Sequence, residues 1–271
     1  MRKPSLSPSR ISTYLACPVK YRWTYVDPRG RWLIRSKSYY SFGTSLHKVL
    51  ERFHDANDVG VTTIHEAVAA AEEGWIEAGY NSQAEMMEAM AEGKDILSGY
   101  LDELARNPTT AKTLFVEKAL KRDFGDFVLL GRLDRLDEEE DGTLNVVDYK
   151  SGRLTVTEAE VAGDLAMQIY QLLVRHEFPG RAVKATIVAL RSNQSASASL
   201  SEEEAALLAQ DVEFLAREIL NRDWENIPPV FKPICPTCDF LPLCQRDPEF
   251  REASSEGMAN GISAGRTPAD A

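Results

Sequence analysis

GRLDRLDEEEDGTLNVVDYKSG, Gly131 to Gly152, decides the fold. Two runs rich in Leu and Val flank an acidic stretch that ends in Asp141 and Gly142, which is the pattern of a β-hairpin. Its acids are not confined to the turn. Asp134 and Asp148 fall inside the strands, and a carboxylate within an apolar strand needs a reason. Residues two apart share a face of a strand, so Asp148 and Lys150 project together while Tyr149 points away. A short loop centred near position 141 sets Asp134 opposite a residue between 147 and 149. Asp134 and Asp148 are then cross-strand neighbours, with Cβ atoms of opposed residues about 5 Å apart. Carboxylates that close repel, and a divalent cation that favours oxygen ligands, Mg²⁺ or Mn²⁺, is the natural remedy, with Lys150 adding fixed positive charge beside it. The competing reading is a surface hairpin with an Asp–Lys ion pair, worth between 0 and about 1 kcal/mol.

Outward from the hairpin the periodicity alternates between helix and strand. On the amino-terminal side Ser7 and Pro8 start a helix to about Cys17, and FGTSLHKVLERFHDA places Phe42, Leu46, Val49, Leu50 and Phe53 at helical spacing. Helices near 63–79 and 83–106 follow, stopped by Pro108, and TLFVEKALKR reads as a strand. Beyond the hairpin come a helix near 157–176, a strand near 184–192 and a helix near 201–221. The order is that of an α/β protein. From about Pro248 to residue 271 the residues are small and polar, and disorder is expected.

The chain of 271 residues has a net charge of −11, which argues against a polyanionic partner until the charges are located. Residues 1–37 carry nine basic side chains against Asp27 alone, interleaved with Tyr14, Tyr21, Trp23, Tyr25 and Trp32. Such a segment can meet phosphates and stack on bases, Arg10 and Arg22 among its candidates; an amphipathic segment with solvated charges is the plainer reading. The amino terminus lacks the apolar run of a signal peptide and no window is long and apolar enough to span a bilayer, so a cytoplasmic protein is expected. In that reducing compartment Cys17, Cys235, Cys238 and Cys244 are expected to bind metal or be buried as thiols.

GRLDRLD and VVDYKSG resemble the catalytic core of the PD-(D/E)XK nuclease superfamily, in its RecB-like branch, and LSPSRISTYLACPVKYRW and FGTSLHKVLERF resemble that branch's opening motif and histidine helix. The resemblance implies a restriction-endonuclease-like α/β core, a central mixed sheet flanked by helices. It implies one nuclease domain over 1–247 with a helical insertion at about 57–108. Asp134, Asp148, His47 and the carbonyl of Tyr149 would be metal ligands, and Lys150 would stabilise charge and orient the attacking water. His54, His65 and His176 match no motif. The branch's Gln-x-x-x-Tyr is incomplete: Tyr170 is in place as a substrate-contact candidate, but Ala166 stands where glutamine is expected and Gln168 falls on another helical face.

The cysteine spacing, one early and three late in CPTCDFLPLC, is similar to that of the branch's iron–sulfur nucleases, the AddAB-type nuclease domains and CRISPR adaptation nucleases. The resemblance implies a [4Fe–4S] cluster on the four cysteines, stapling the two ends of the chain; a structural Zn²⁺ is the alternative. The activity implied is a metal-dependent deoxyribonuclease, an exonuclease on single strands or DNA ends, working with a helicase, repair or CRISPR assembly. The alternative is a non-catalytic DNA-binding subunit of such an assembly.

Overall fold

The hairpin forms around the turn its sequence specifies. Gly142, at φ +84°, donates its N–H to Glu139 O at 2.9 Å, and Asp141 Oδ1 accepts from Thr143 N–H at 2.8 Å. The computed structural model describes residues 3–57 and 60–259. In chain order its elements are β1 (Ser5–Leu6), α1 (Pro8–Ala16), α2 (Pro18–Tyr21), α3 (Ser38–His54), α4 (Ile64–Gly74), α5 (Gln83–Arg106), β2 (Lys112–Asp123), β3 (Val128–Glu138), β4 (Leu144–Lys150), α6 (Glu158–Gly163), α7 (Leu165–Glu177), β5 (Val183–Ala189), β6 (Gln194–Ala198), α8 (Glu202–Asn221), α9 (Leu241–Cys244) and α10 (Pro248–Ala259). They divide into two compact units. One holds the stretch to Pro8 and Ser36–Val212; the other holds Ser9–Arg35 and the chain from Glu213 onward.

The first unit is built on a mixed six-stranded sheet in the order β1-β3-β4-β5-β6, with β2 antiparallel to β3. Since β2 occupies one edge of β3 from Val128 to Glu138, the other edge is shared: β1 pairs parallel at Val128 and Leu129, and β4 antiparallel from Arg135 to Glu138. Between those two partners that edge of β3 is open, and Asp134 stands at its margin. Beyond it β4 pairs parallel with β5, and β5 antiparallel with β6.

Helices cover both faces, as an α/β sheet buried on two sides requires. On one face, Leu46 and Leu50 of α3 and Leu97 and Leu101 of α5 pack with Val147 and Tyr149 of β4 and Val188 of β5. On the other lies α7, burying Met167, Ile169, Leu172 and Leu173 against β3, β4 and β5. Gly131 makes that approach possible: a Cβ there would come within 2.5 Å of Leu173 Cδ1 and 3.0 Å of the Tyr170 ring.

Several expectations are corrected. The helix expected over 157–176 is two, broken at Asp164, whose Oδ1 accepts from Ala166 and Met167 N–H at 2.9 and 3.1 Å and so caps α7. The helix expected over 63–79 ends at Gly74. β1 and the Ser-rich edge strand β6 carry too little apolar patterning to be read beforehand. Pro248–Ala259, expected in an unstructured tail, is the helix α10, anchored by buried Phe250 whose ring lies 6.2 Å from that of Phe231. The remainder of that expected tail lies outside the described residues. Among the described residues no helix is long and apolar enough to cross a membrane.

Candidate active site

The β3–β4 ladder ends at Arg135↔Val147, so the next residues, Asp134 and Asp148, face each other just where the strands stop pairing. The register therefore agrees with the one expected from the turn. The N–H that would have continued the ladder is used differently: Tyr149 N–H donates to Asp134 Oδ2 at 3.0 Å. From α3, His47 joins the same point, its Nε2–H donating to Tyr149 O at 2.9 Å and its Nδ1 lying 3.3 Å from Asp134 Oδ2. Lys150 Nζ is 3.2 Å from Asp148 Oδ2. The five groups singled out in the sequence, Asp134, Asp148, Lys150, His47 and the Tyr149 carbonyl, are thus gathered within one cluster of contacts.

Burial and charge pairing set its electrostatics. Burial pushes the Asp148 carboxyl up to about 6 against the pull of Lys150, with Asp134 adding to the rise. Burial also opposes charge on His47, but the Asp134 hydrogen bond and the charges of Asp134 and Asp148 prevail and lift the imidazole to about 9. Asp134 is held below the usual carboxylate range: burial works against it, and His47 and the Tyr149 N–H overcome that cost. Lys150 is raised, first by Asp148. Asp148 Oδ2, although within ion-pair distance of Lys150, is buried and accepts no hydrogen bond of sound geometry. Carboxylates, an imidazole and a carbonyl around an unsatisfied buried oxygen form a donor set that suits Mg²⁺ or Mn²⁺.

Glu117 is the residue that sequence reasoning missed. His47, Glu117 and Asp134 each offer a ligand atom within 4.8 Å of the others. The β2–β3 register, Val116↔Arg135 and Lys118↔Leu133, brackets Glu117 and sets it opposite Asp134. Burial first, then Asp134, raise its carboxyl, while Arg132, whose Nε pairs with Glu117 Oε2, lowers it. The available signal was the same one that marked Asp134, an acid inside an apolar strand.

Tyr170 reaches this region from α7: burial raises its phenol, and Asp148 and Asp134 are the next contributors. Gln168 is turned away, its Nε2 donating to Ala162 O at 2.6 Å. His54 is structural. Its ring stacks on Tyr149 with centroids 6.3 Å apart, and Arg135 Nη1 donates to its Nε2 at 2.7 Å. His65 and His176 are exposed.

Arg10, Arg22 and the cysteines belong to the second unit. There the Arg10 guanidinium lies over Tyr25 at 4.9 Å, and that of Arg22 over Trp23 at 4.8 Å. Cys17, Cys235, Cys238 and Cys244 line one pocket whose other walls are mostly apolar, including Val19, Ile234, Phe240 and Phe250. Burial raises the thiols of Cys235, Cys238 and Cys244, the last to about 12, and the neighbouring sulfurs add to each rise. Lys20 and Lys232 donate backbone N–H groups to Cys17 and Cys235 Sγ at 3.4 and 3.3 Å. The surroundings of Cys235, Cys238 and Cys244 disfavour free thiolates, which a bound metal would favour.

A mixed sheet thus holds two carboxylates and a lysine at an open strand end. The sequence matches the PD-(D/E)XK nuclease superfamily over residues 5–245, and the chain belongs to that superfamily. Among solved structures, the "Putative exonuclease" from Eubacterium rectale superimposes with a TM-score of 0.51 at 10% identity, over 87% of each chain, and shares the fold. The structure named SSO0001 gives a TM-score of 0.35 at 16% identity, over 79% of this chain and 96% of that one, too distant to carry weight. No curated protein matches the sequence.

Proposed function

We propose that this nuclease is a metal-dependent deoxyribonuclease of the RecB-like iron–sulfur branch, acting on single strands or DNA ends. What carries the reading is the meeting of Asp134, Asp148, Lys150, His47 and the Tyr149 carbonyl at the unpaired end of the hairpin, with a buried carboxylate oxygen left unsatisfied. Asp134, Asp148, His47 and the Tyr149 carbonyl would hold Mg²⁺ or Mn²⁺, with Glu117 as a further carboxylate. A divalent ion so held neutralises charge on the scissile phosphate and makes water a stronger nucleophile. Lys150, held by Asp148, keeps a cation beside the phosphate and orients the attacking water by hydrogen bonding. His47 fixes the Tyr149 carbonyl and Asp134 in one geometry.

The spacing of one early and three late cysteines, similar to that of the branch's iron–sulfur nucleases, is what supports a four-iron cluster, and their shared pocket is compatible with it; a structural Zn²⁺ is the alternative. An exonuclease working in DNA repair, recombination or CRISPR-type processing, beside a helicase, follows from the same branch. Ala166 in the glutamine position favours the other reading, a DNA-binding subunit without catalysis.

Cleavage of end-labelled and circular DNA with and without Mg²⁺ or Mn²⁺ tests the proposal. Parent protein is expected to degrade the end-labelled substrate only with metal, and Asp148→Asn or Lys150→Ala to fall by more than about a hundredfold while remaining folded. Variants that cleave like the parent would remove these residues from the mechanism, and metal-independent binding without cleavage would favour the non-catalytic subunit.

A further inference from the structure

In the second unit the chain fixes a turn and leaves a tryptophan outside it. Pro28–Trp32 form a short 3₁₀ helix. Asp27 caps it, accepting from Arg29 N–H at 3.0 Å, and pairs with the Arg29 guanidinium at 2.6 Å. Gly30 presses on the backbone of Trp23 so closely that an added Cβ would lie 1.9 Å from the Trp23 carbonyl oxygen. Just beyond the turn, Arg35 N–H donates to Asp239 Oδ2 at 3.4 Å. The turn is tied down at its start, its middle and its exit, yet Trp32 is 78% exposed and Ile34 is 49% exposed. The Arg31 guanidinium lies 4.8 Å from the Trp32 ring centroid. An indole is one of the largest apolar faces a side chain offers, and a rigid turn that holds it in water is preorganised to meet a ligand.

The charge around it selects the ligand. Arg10, Lys20, Arg22, Arg29, Arg31 and Arg35 lie in this stretch against Asp27 alone, in a chain whose net charge is −11. Arg29 and Arg22 are engaged with Asp27, and the carboxylate of Asp239 takes the Arg35 backbone N–H, but among the described residues the guanidinium groups of Arg31 and Arg35 form no ion pair. A flat ring beside unspent guanidinium groups complements a base next to phosphates. In a duplex the base faces are already stacked, so the complement is an unpaired strand.

We propose that Trp32, with Arg31 and Arg35, binds a single-stranded segment of the nucleic-acid substrate, Trp32 stacking on a base and the arginines contacting flanking phosphates. The choice of occupant rests on the nuclease reading above; the site itself is separate from the carboxylates. The test is binding by Asp148→Asn protein in EDTA, so that no strand is cut, to fluorescein-labelled oligo-dT, to an abasic strand of equal length and to a blunt duplex. Adding Trp32→Ala is expected to weaken oligo-dT binding about tenfold while changing the abasic strand less than about twofold, with Trp32→Phe close to the parent. Arg31→Ala is expected to weaken both strands and to reduce the salt dependence by about one counterion. Thermal unfolding of each variant confirms that it is folded, and Trp32→Gln serves as a second test of the stacking face. Unchanged oligo-dT affinity in Trp32→Ala, or equal losses on the base-bearing and abasic strands, overturns the proposal and leaves the patch to a protein partner. Trp32-dependent binding by a parent that never cleaves with Mg²⁺ or Mn²⁺ upholds the stacking site and removes the nuclease reading. Cleavage by a parent whose oligo-dT affinity ignores Trp32 does the reverse.

Discussion

Glu117 stands at φ +49°, in the left-handed region that a side chain with a β-carbon enters at a cost of about 1–2 kcal/mol. It lies in β2 opposite Asp134, and the backbone distortion turns a carboxylate toward His47 and Asp134. The strain and the ligand role make separable predictions. Glu117→Gly is expected to be about 1 kcal/mol more stable than Glu117→Ala in denaturant unfolding, because glycine alone is free of the conformational cost. Both are expected to lose at least about tenfold in Mn²⁺ affinity. Equal stabilities would remove the strain, and unchanged Mn²⁺ titrations would remove Glu117 from the ligand set. At this scale the sequence exposed Asp134, Asp148 and Lys150 because three charges inside apolar strands are conspicuous. Glu117 carried the same signal, an acid inside an apolar strand, but its place opposite Asp134 is set by the β2–β3 pairing, which local alternation does not record.

The β3–β4 hairpin holds the proposed metal ligands on one face and a buried network on the other. Arg135 donates to Tyr149 Oη at 2.6 Å and pairs with Asp137 at 3.0 Å, and Asp137 also accepts from Thr113 Oγ1 at 2.8 Å. His54 and the Tyr100 hydroxyl complete this layer beneath the Tyr149 peptide that His47 and Asp134 share. Burial first, then Arg135, hold the His54 imidazole down to about 2, so it is neutral in the folded protein at any ordinary pH. The unfolded chain takes up that proton below the ordinary histidine value of 6.5, and the folded chain refuses it. Stability contributed by neutral His54 is therefore complete above 6.5 and lost as pH falls, at about 1.4 kcal/mol per pH unit. Urea unfolding of metal-free parent and His54→Gln between about pH 7 and pH 5 is expected to give a steeper decline for the parent by that amount; parallel curves would sink the idea. The hairpin was legible because alternation and an Asp-Gly turn are local. The end of its ladder at Arg135 was not, since nothing in the local pattern of either strand marks where pairing stops. The break between α6 and α7 was missed for a local reason, Asp164 acting as a cap inside an otherwise continuous apolar period.

At the scale of the whole molecule, the second unit is assembled from the two ends of the chain, which meet in an aromatic cluster: Trp224 stacks on Tyr21 with centroids 5.0 Å apart and meets Tyr14 edge-on at 6.1 Å. Cys17 lines the same pocket as the three late cysteines, and a metal held in that sulfur cage is the proposed second fastening. Bridging Cys17 to Cys235 closes a loop of about 218 residues, and loop entropy makes that closure worth up to about 5 kcal/mol. The aromatic stack closes nearly the same loop at far lower strength, so loss of the cage should loosen this unit without abolishing it. Cys244→Ser is expected to lower the melting temperature and to open residues 9–35 and the chain beyond 213 to limited proteolysis, mapped by mass spectrometry. The carboxylate site lies wholly in the first unit, which keeps its own sheet and core. Mn²⁺ affinity at that site is therefore expected to stay within about twofold of the parent's, since residues without shared partners act additively. A proteolysis pattern unchanged by Cys244→Ser would show that the sulfurs hold nothing together, and Mn²⁺ binding lost along with them would show that the two units do not keep separate accounts.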